Sequence, residues 1–427
     1  MPRRDFGATA ACNAAINRAV KQPIPQGPHF ERGAIALVAA VFIMAVLASA
    51  AAIAMGVRAT EARRLHITER ALAHAKEALI AYAAERPITV AVGPGYLPCP
   101  DTDDDGWAES TCGSLSGHLG QAERLGRLPW KTLGLADLRD GHGERLWYAV
   151  STRHKGLLNC AASRECRDLT PATGLGTITV RDARGAVVHD GTSDDPARAA
   201  DGGAIAVVIA PGPALVRLDG RAQRRDCTAG DCRDPANYLD VAPASAGGED
   251  NAAFRDRSDV REGNGDGFIH GPIAAPDGTV AVNDRLAVIG YGDLMPRLQA
   301  RVALEAARCL GRVAPLPRPV EACGTSDYLG RIDAEFDDPA CNLAAHEPAW
   351  WTAWRPFVLY ALAPAGGLDV VDEGGRTLAS ARRFAVVAGT SAGDCAPGNA
   401  QCGPAGCTRV SRSARGRDRN DAVASMP

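Results

Sequence analysis

The chain has 427 residues, enough for two or three domains, and its formal net charge of -3 gives no indication of a nucleic-acid partner. Glycine and proline are frequent, with 46 and 28 residues, whereas aromatic residues make up only 5% of the chain. This composition favours a loop-rich, strand-bearing domain over a helical bundle.

The first distinctive element is an uncharged run from Ala34 to Val57, which directly follows Arg32 and Gly33. As an α-helix this run rises about 36 Å, enough to cross a hydrocarbon core of about 30 Å. It can serve as a permanent membrane anchor, or as a secretory signal peptide whose small-residue cleavage site is Ala48-Ser49-Ala50. Neither interpretation explains why a glycine stands directly before the run.

The glycine and the run together resemble the N-terminus of type IV pilins and of type II secretion pseudopilins. In that family a basic leader ends in glycine, and a prepilin peptidase cuts after it. The apolar helix that follows anchors the subunit in the membrane and then packs in a filament core. The resemblance implies a leader over residues 1–33, cleavage between Gly33 and Ala34, N-methylation of Ala34 and a transmembrane helix from Ala34 to Val57.

One residue departs from the family pattern. Major pilins carry glutamate at the fifth mature position, where this chain has Val38. In the family that carboxylate pairs with the N-terminal amine of a neighbouring subunit, since a buried charge needs a partner. Within the family its absence is typical of certain minor subunits, including a large pseudopilin at the filament tip.

The segment after the run predicts an amphipathic helix. Leucine recurs every seven residues at positions 65, 72 and 79, and Pro87 ends the pattern. No glycine or proline lies between Val57 and Pro87. We therefore expect one continuous transmembrane and amphipathic helix over residues 34–86.

The remainder predicts an α+β head that is rich in disulfides and built on antiparallel sheet. The phrases "GYLPCPDTDDDGW", "GRLPWKTLGLADLRDGHGERLWYAVS" and "NDRLAVIGYGDLMPRLQARV" resemble the head of large bacterial pilin-like proteins, over roughly residues 30 to 310. An internal repeat of helix, Leu-Pro-x-Pro, Trp and Tyr-Ala suggests two pilin-like modules, 87–292 and 293–407. The alternative is one α+β domain with a C-terminal extension. Residues 408–427 are Arg- and Ser-rich and are expected to be a disordered tail.

The 13 cysteines indicate an oxidising compartment, because local cysteine pairs suit disulfides. Cys12 lies in the leader, so cleavage leaves an even number. The candidates for disulfides are three close pairs: Cys99 with Cys112, Cys160 with Cys166, and Cys227 with Cys232. Pairing stays open among the other six, which are Cys309, Cys323, Cys341, Cys395, Cys402 and Cys407.

The charges that flank the run give the opposite indication of topology. Three Lys or Arg residues lie within 20 residues before the run and five lie within 20 residues after it. Taken alone, the positive-inside rule would place the large domain in the cytoplasm. Glu61, Glu69 and Glu77 balance the downstream positive charges on a continuing helix. The cysteines are therefore the stronger indication of the compartment of the large domain. We expect a single-pass inner-membrane protein with its head in the periplasm, and the pilin resemblance implies association with a filament.

An acidic stretch offers a calcium hypothesis. Asp101, Asp103 and Asp105, followed by Gly106, match positions 1, 3, 5 and 6 of an EF-hand loop. Alternate carboxylates can converge on a hard cation, but position 12 is Cys112, so the bidentate glutamate is missing. The competing interpretation is a solvated turn between two cysteines.

These features predict a minor pilin-like subunit that is not an enzyme. The motif "GTSAG" contains Ser391 in a nucleophile-like setting, but no histidine follows His346, as that chemistry would require. The expected partners are other pilin-like or pseudopilin subunits, the prepilin peptidase and the inner membrane. The alternative is a membrane-anchored periplasmic binding or adhesion protein that does not polymerise.

Leader processing is directly testable. The mature chain should begin at Ala34, and Gly33→Glu should block the cut, because the family's cleavage site requires a residue without a side chain. N-terminal mass spectrometry of the protein from membranes gives the answer. A mature terminus near Ala51, or an uncut Met1, would contradict the pilin interpretation.

Overall fold

A computed structural model describes residues 29–86, 93–112, 124–155, 169–192, 202–226, 231–253, 267–321, 327–333, 336, 338, 341, 343, 349–372, 375–389, 400–411 and 422–425. Its contacts divide the chain into two compact units, 1–62 and 63–427. The first contains the apolar run, and the second contains the predicted head.

The first helix, α1 (His29–Glu85), is 57 residues long and confirms the prediction of one uninterrupted helix that ends before Pro87. Every described side chain from Ala36 to Val57 is exposed. By length and composition, α1 is able to cross a membrane once. Two further helices in the described residues are α2 (Tyr291–Leu310) and α3 (Ala349–Trp354).

The strands of the described residues are short. In chain order they are β1 (Leu125–Arg127), β2 (Trp147–Val150), β3 (Val180–Arg181), β4 (Val187–His189), β5 (Ala206–Ala210), β6 (Phe268–Ile269), β7 (Ile273–Ala274), β8 (Val280–Val282), β9 (Arg285–Ile289), β10 (Leu329–Gly330), β11 (Val358–Leu362), β12 (Leu368–Val371), β13 (Thr377–Ala381), β14 (Phe384–Ala388), β15 (Ala400–Gly403), β16 (Gly406–Ser411) and β17 (Ala422–Ser425). Short 3₁₀ helices lie between them at Thr152–His154, Asp231–Arg233, Pro235–Asn237, Ala244–Ala246, Asn251–Ala253 and Arg355–Phe357.

Two four-stranded antiparallel sheets form the frame of the head. The first sheet has the order β1-β2-β5-β9, and the second has the order β10-β11-β14-β17. In each sheet the strands pair in the order in which they occur along the chain. Smaller sheets accompany them, with the orders β13-β12-β16-β15, β4-β3-β6 and β7-β8. The predicted α+β class, with a long N-terminal helix and a sheet-rich body, is confirmed at this level.

One continuous core joins the second half of α1, helix α2 and one face of each main sheet. Helix α1 contributes an apolar stripe that includes Leu72, Ala75 and Leu79, all buried. The sheets contribute alternate residues, among them Tyr148 and Tyr360, as expected for strands whose side chains alternate between faces.

The opposite faces of both sheets are also covered. Trp147 and Val207 of the first sheet pack with Tyr238 and Phe268. In the second sheet, Leu359 and its neighbours pack on β12 and β16. Because both faces are buried, strands β5 and β14 read as unbroken apolar runs.

A lysine fixes α1 against the junction of β9 and α2. Lys76 Nζ donates to the carbonyl of Val288 at 2.8 Å and forms an ion pair with Asp293 at 2.8 Å. Asp293 in turn accepts the backbone N–H of Gly290 at 2.8 Å, which caps the start of α2. This junction therefore fixes α1 to the end of β9 and to the start of α2.

Each main sheet contains an equivalent hydrogen bond from a tyrosine side chain, in addition to the matching strand pattern. In the first, the hydroxyl of Tyr148 donates to the carbonyl of Pro98 at 3.0 Å. In the second, the hydroxyl of Tyr360 donates to the carbonyl of Pro317 at 3.3 Å. Both tyrosines lie opposite a glycine of the preceding strand in register. The Leu-Pro-x-Pro and Tyr-Ala phrases thus occupy matching positions in the two sheets.

The backbone beside each Leu-Pro-x-Pro phrase also matches. Asp101 and Arg127 exchange N–H to carbonyl bonds of 3.0 and 2.7 Å, and Val320 and Arg331 exchange bonds of 2.9 and 2.6 Å. Each pair extends the outer edge of its sheet by one bridge. Val320, which has no carboxylate, forms the same backbone bridge as Asp101. The bridge therefore does not depend on the carboxylate of Asp101.

Three disulfides are formed by described cysteines. The predicted Cys99–Cys112 bond is confirmed. Two pairings that the sequence left open are Cys309–Cys341 and Cys402–Cys407. Cys232 is also in a disulfide. Five further cysteines of the predicted head, including three of the pair candidates, lie outside the described residues: Cys160, Cys166, Cys227, Cys323 and Cys395.

The expectation of a disordered tail is wrong for part of residues 408–427. Strand β16 continues to Ser411, and β17 pairs antiparallel with β14 at the edge of the second sheet. A strand of four residues is too short to give a periodic pattern in the sequence, so β17 was not predicted.

The tyrosine bonds can be tested in pairs. Tyr148→Phe should lower the free energy of unfolding by about 1 kcal/mol, because the buried carbonyl of Pro98 loses its donor. Tyr360→Phe should lower it by a smaller amount, because the bond to Pro317 is only partly buried. Urea denaturation of the purified protein measures this. Tyr328→Phe is the control: its hydroxyl donates to the carbonyl of Pro404 at 2.7 Å at an exposed position, where water can replace it. Equal stability of all three variants would contradict a shared structural role.

Candidate functional sites

The apolar segment Ala36–Val57 is the first candidate site. Its side chains are exposed and uncharged, and Val38 is 66% exposed. The hydroxyl of Ser49 donates to the carbonyl of Ala45 at 2.8 Å, so this polar group is satisfied inside the helix. A helix with this surface suits a hydrocarbon environment or the apolar surface of another helix. Gly33 and Ala34, the predicted cleavage residues, lie within α1.

The second candidate site is the acidic loop, residues 101–109. Asp101 is 1% exposed, and its carboxylate accepts the backbone N–H groups of Asp104 and Gly106, each at 2.7 Å. Asp104 and Gly106 have φ angles of 66° and 88°, the left-handed conformation that turns the loop back on Asp101. The Cys99–Cys112 disulfide closes the segment around this loop.

The structure brings together two of the three predicted calcium ligands and adds one that the sequence pattern missed. Ligand oxygens of Asp101, Asp103 and Glu109 all lie within 4.8 Å of one another. Asp105 is outside this trio, and its Oδ1 accepts the backbone N–H of Trp107 at 2.7 Å. Glu109 is the ninth residue counted from Asp101, a position that often contributes to calcium loops through water. The EF-hand pattern expects its glutamate at the twelfth position, so the sequence did not indicate Glu109 as a ligand.

Thr102 holds Glu109 in the trio. Glu109 Oε1 accepts the backbone N–H of Thr102 at 3.1 Å and its hydroxyl at 2.7 Å. Carboxylate oxygens arranged in this way are the ligands that calcium prefers. Three neighbouring carboxylates repel one another unless a cation or a proton compensates their charge.

Burial raises the pKa of Asp101 to about 6, and the charges of Asp104 and Asp105 act in the same direction. The backbone bonds from Gly106 and Asp104 lower the pKa and so oppose this effect. A bound cation would favour the charged carboxylate and reverse the shift. Near neutral pH the loop is therefore close to the point where a proton and a cation compete for the same group.

An ion-pair network lies behind the loop and was not predicted from the sequence. Arg145 Nη1 pairs with Asp104 Oδ1 at 2.7 Å, and Arg145 Nε pairs with Asp137 at 3.1 Å. Lys131 Nζ donates to the carbonyl of Asp105. These contacts join the loop to the hairpin between β1 and β2. Only spatial proximity reveals them, because Arg145 and Asp104 are 41 residues apart in the chain.

Comparisons with family models, curated proteins and solved structures find no match for this chain. The likeness to pilins therefore depends on the motifs of the chain itself. Ser391, the serine of the nucleophile-like motif, lies outside the described residues.

Calcium binding by the acidic loop predicts a selective set of melting curves. Binding to the native state alone raises stability by about 2.7 kcal/mol at a hundredfold excess over Kd, so millimolar calcium should raise the melting temperature and a chelator should lower it. Asp103→Ala and Glu109→Ala should each abolish the shift.

Asp105→Ala is the matched control for this experiment. Its carboxylate belongs to the same loop but not to the trio, so the calcium-dependent shift should persist in this variant. An identical melt of the wild-type protein with calcium and with chelator would leave only the solvated turn.

Proposed function

We propose that this chain is a minor pilin-like or pseudopilin-like subunit of a type IV pilus or type II secretion filament, placed at the tip or acting in initiation. The observation that carries the proposal is a single helix with two chemically different halves. Residues 36–57 of α1 expose an uncharged apolar surface, whereas the stripe through Leu72 and Leu79 is built into the core of the head.

The exposed half of α1 requires an apolar environment. Transfer of apolar surface from water is favourable by about 25 cal/mol per Å², so this segment resides either in a bilayer or against other apolar helices. A subunit that moves from the membrane into a filament uses this apolar surface first against lipid and then against other helices. In the proposal, processing after Gly33 precedes this transfer and requires the prepilin peptidase.

Val38 supports a place at the end of a filament. A glutamate at this position would accept the N-terminal amine of a neighbouring subunit in the apolar core, and valine cannot. The amine of Ala34 remains able to donate to a partner that carries the glutamate. Contacts of this chain are then one-sided, which suits a terminal position rather than a repeating one.

The disulfides support a periplasmic head on an inner-membrane anchor, since such bonds persist in oxidising compartments. The shared strand order and the matching Tyr148 and Tyr360 bonds support two pilin-like modules. In this proposal the head acts by assembly and not by catalysis, and its partners are other pilin-like subunits.

One observation favours the alternative of a membrane-anchored binding or adhesion protein. Trp107, in the acidic loop, is 56% exposed, and exposed aromatic residues beside polar groups are common in binding surfaces. In this alternative, residues 36–57 remain in the bilayer and contact no equivalent helix.

Crosslinking distinguishes the two functions. A cysteine introduced at Ala39 should crosslink to minor partner subunits within the apolar segment and not to a second copy of this chain. The protein should also be scarce relative to a major subunit, and deletion should abolish filament initiation or secretion. Mass spectrometry of the crosslinked bands identifies the partners.

Val38→Glu provides the matched control. It restores the acceptor for a neighbouring amine, so the variant should enter positions along the shaft from which the wild-type chain is absent. Recovery of the wild-type chain as the repeating subunit of a shaft would contradict the terminal position. An Ala39 cysteine that forms no crosslink in the membrane would favour the non-polymerising alternative.

A further inference from the structure

A cleft with a volume of about 170 Å³ lies beside the acidic loop. Its walls come from Asp101 and Asp104 of the loop, from β1 and Trp147 of the first sheet, and from the two 3₁₀ helices that contain Arg233 and Pro235. Leu125, Trp147 and Pro235 give one part of the wall an apolar surface. The cleft thus combines apolar contact with charged groups of both signs.

Arg127 is the buried cation of this cleft. It is 5% exposed, and its guanidinium lies 4.2 Å from the ring centroid of Trp147 and 4.0 Å from that of Tyr238. Nη1 and Nη2 donate to the carbonyls of Arg145 and Cys232 at 3.2 and 3.1 Å, and Nε has no partner. A guanidinium has five N–H donors, so most of them remain unused.

The charge of Arg127 has no carboxylate partner. Among the described residues no carboxylate oxygen lies within the 4.0 Å of an ion pair with it. The carboxylates whose charges act on Arg127 are already engaged, since Asp104 pairs with Arg145 and Glu144 pairs with Arg225. A buried cation that forms no direct ion pair is costly, and such groups commonly meet a ligand or ordered water.

Arg233 adds a second cation at the same cleft. It is exposed, and its side chain forms no hydrogen bond or ion pair in the part of the chain that the structure describes. The bond from Arg127 to the carbonyl of Cys232 places the two arginines on adjoining walls. The cleft therefore presents two cations, neither of which forms an ion pair with a carboxylate of the described residues.

Comparison with the second main sheet separates the cleft residues that belong to the shared fold from those found only in the first sheet. Arg331 occupies the place of Arg127, with the same backbone bridge, so an arginine belongs to the frame of both sheets. The residues before the matching tyrosines are Trp147 and Leu359. Because Asp101 is likewise matched by Val320, the lining of the cleft is particular to the first sheet.

We propose that this cleft binds a small organic carboxylate, with its carboxylate group between Arg127 and Arg233 and its apolar part against Trp147. A planar carboxylate matches the fixed edge of a stacked guanidinium. Asp101 and Asp104 in the same wall repel any anion, but they repel a doubly charged anion such as sulfate about twice as strongly as a singly charged carboxylate. This site is additional to the assembly function proposed for the chain.

Propionate and propionamide provide a matched pair of probes that differ in charge and have nearly the same shape. The full-length protein in detergent micelles is titrated with each, and binding is followed by tryptophan fluorescence and by melting temperature. Propionate should raise the melting temperature and change the fluorescence, whereas propionamide and sulfate should not. Equal effects of propionate and propionamide, or of propionate and sulfate, would overturn the proposal.

Arg233→Ala is the decisive variant, because its exposed side chain forms no hydrogen bond or ion pair with the rest of the described chain. Affinity for propionate should fall by about tenfold, the effect of one lost charge-assisted hydrogen bond. Arg184→Ala, at an exposed turn away from the cleft walls, is the control and should bind as the wild type does. Unchanged affinity of the Arg233 variant would also overturn the proposal, whatever the outcome for filament assembly.

Discussion

Burial of one stripe of α1 is the constraint on which the rest of the head depends. Leu72, Ala75, Leu79 and Ala83 are almost without solvent contact, and they share a core with faces of both main sheets. Neither sheet has enough apolar surface of its own to form this core, since its strands are only two to five residues long. The small alanines allow close approach, and the leucines fill the space between layers. The helix that carries the exposed apolar segment therefore also contributes, through its second half, the central stripe of the head's core.

The two main sheets provide an internal comparison that is informative about function. Features present in both, such as the tyrosine bonds to proline carbonyls, are explained by the fold alone. Features of only one sheet need another explanation. The carboxylate of Asp101 and the indole of Trp147 are of this kind, because Val320 and Leu359 occupy the matching places. The acidic loop and the cleft beside it are consequently the parts of the head most open to a specific role.

Sequence patterns predicted those parts of the molecule whose physics is local. The uncharged run, the seven-residue leucine spacing and Pro87 together fix the extent of α1 to within a few residues. The Cys99–Cys112 bond was predictable because its cysteines are 13 residues apart with a turn between them. The repeated proline and tyrosine phrases also located the frame of each main sheet.

Other parts depended on contacts between distant residues and could not be predicted. Cys309 and Cys341 are both close to other cysteines in sequence, so only the packing of α2 selects their bond. Glu109 joins Asp101 and Asp103 through the path of the loop, and the spacing of an ideal calcium loop pointed elsewhere. The sequence does not single out Arg127, because its environment is formed by Trp147 and Tyr238, which are distant from it in the chain.

The start of α2 has a consequence for stoichiometry. Strand β9 ends at Ile289 and α2 begins at Tyr291, so the second main sheet receives its helix with no apolar extension before it. The described chain thus carries two main sheets for one apolar segment. If the proposed filament spaces its subunits by such segments, one copy of this chain would bring both main sheets to a single helical position. Crowding between neighbouring heads would then limit how many copies one layer can hold, independently of any preference at Val38.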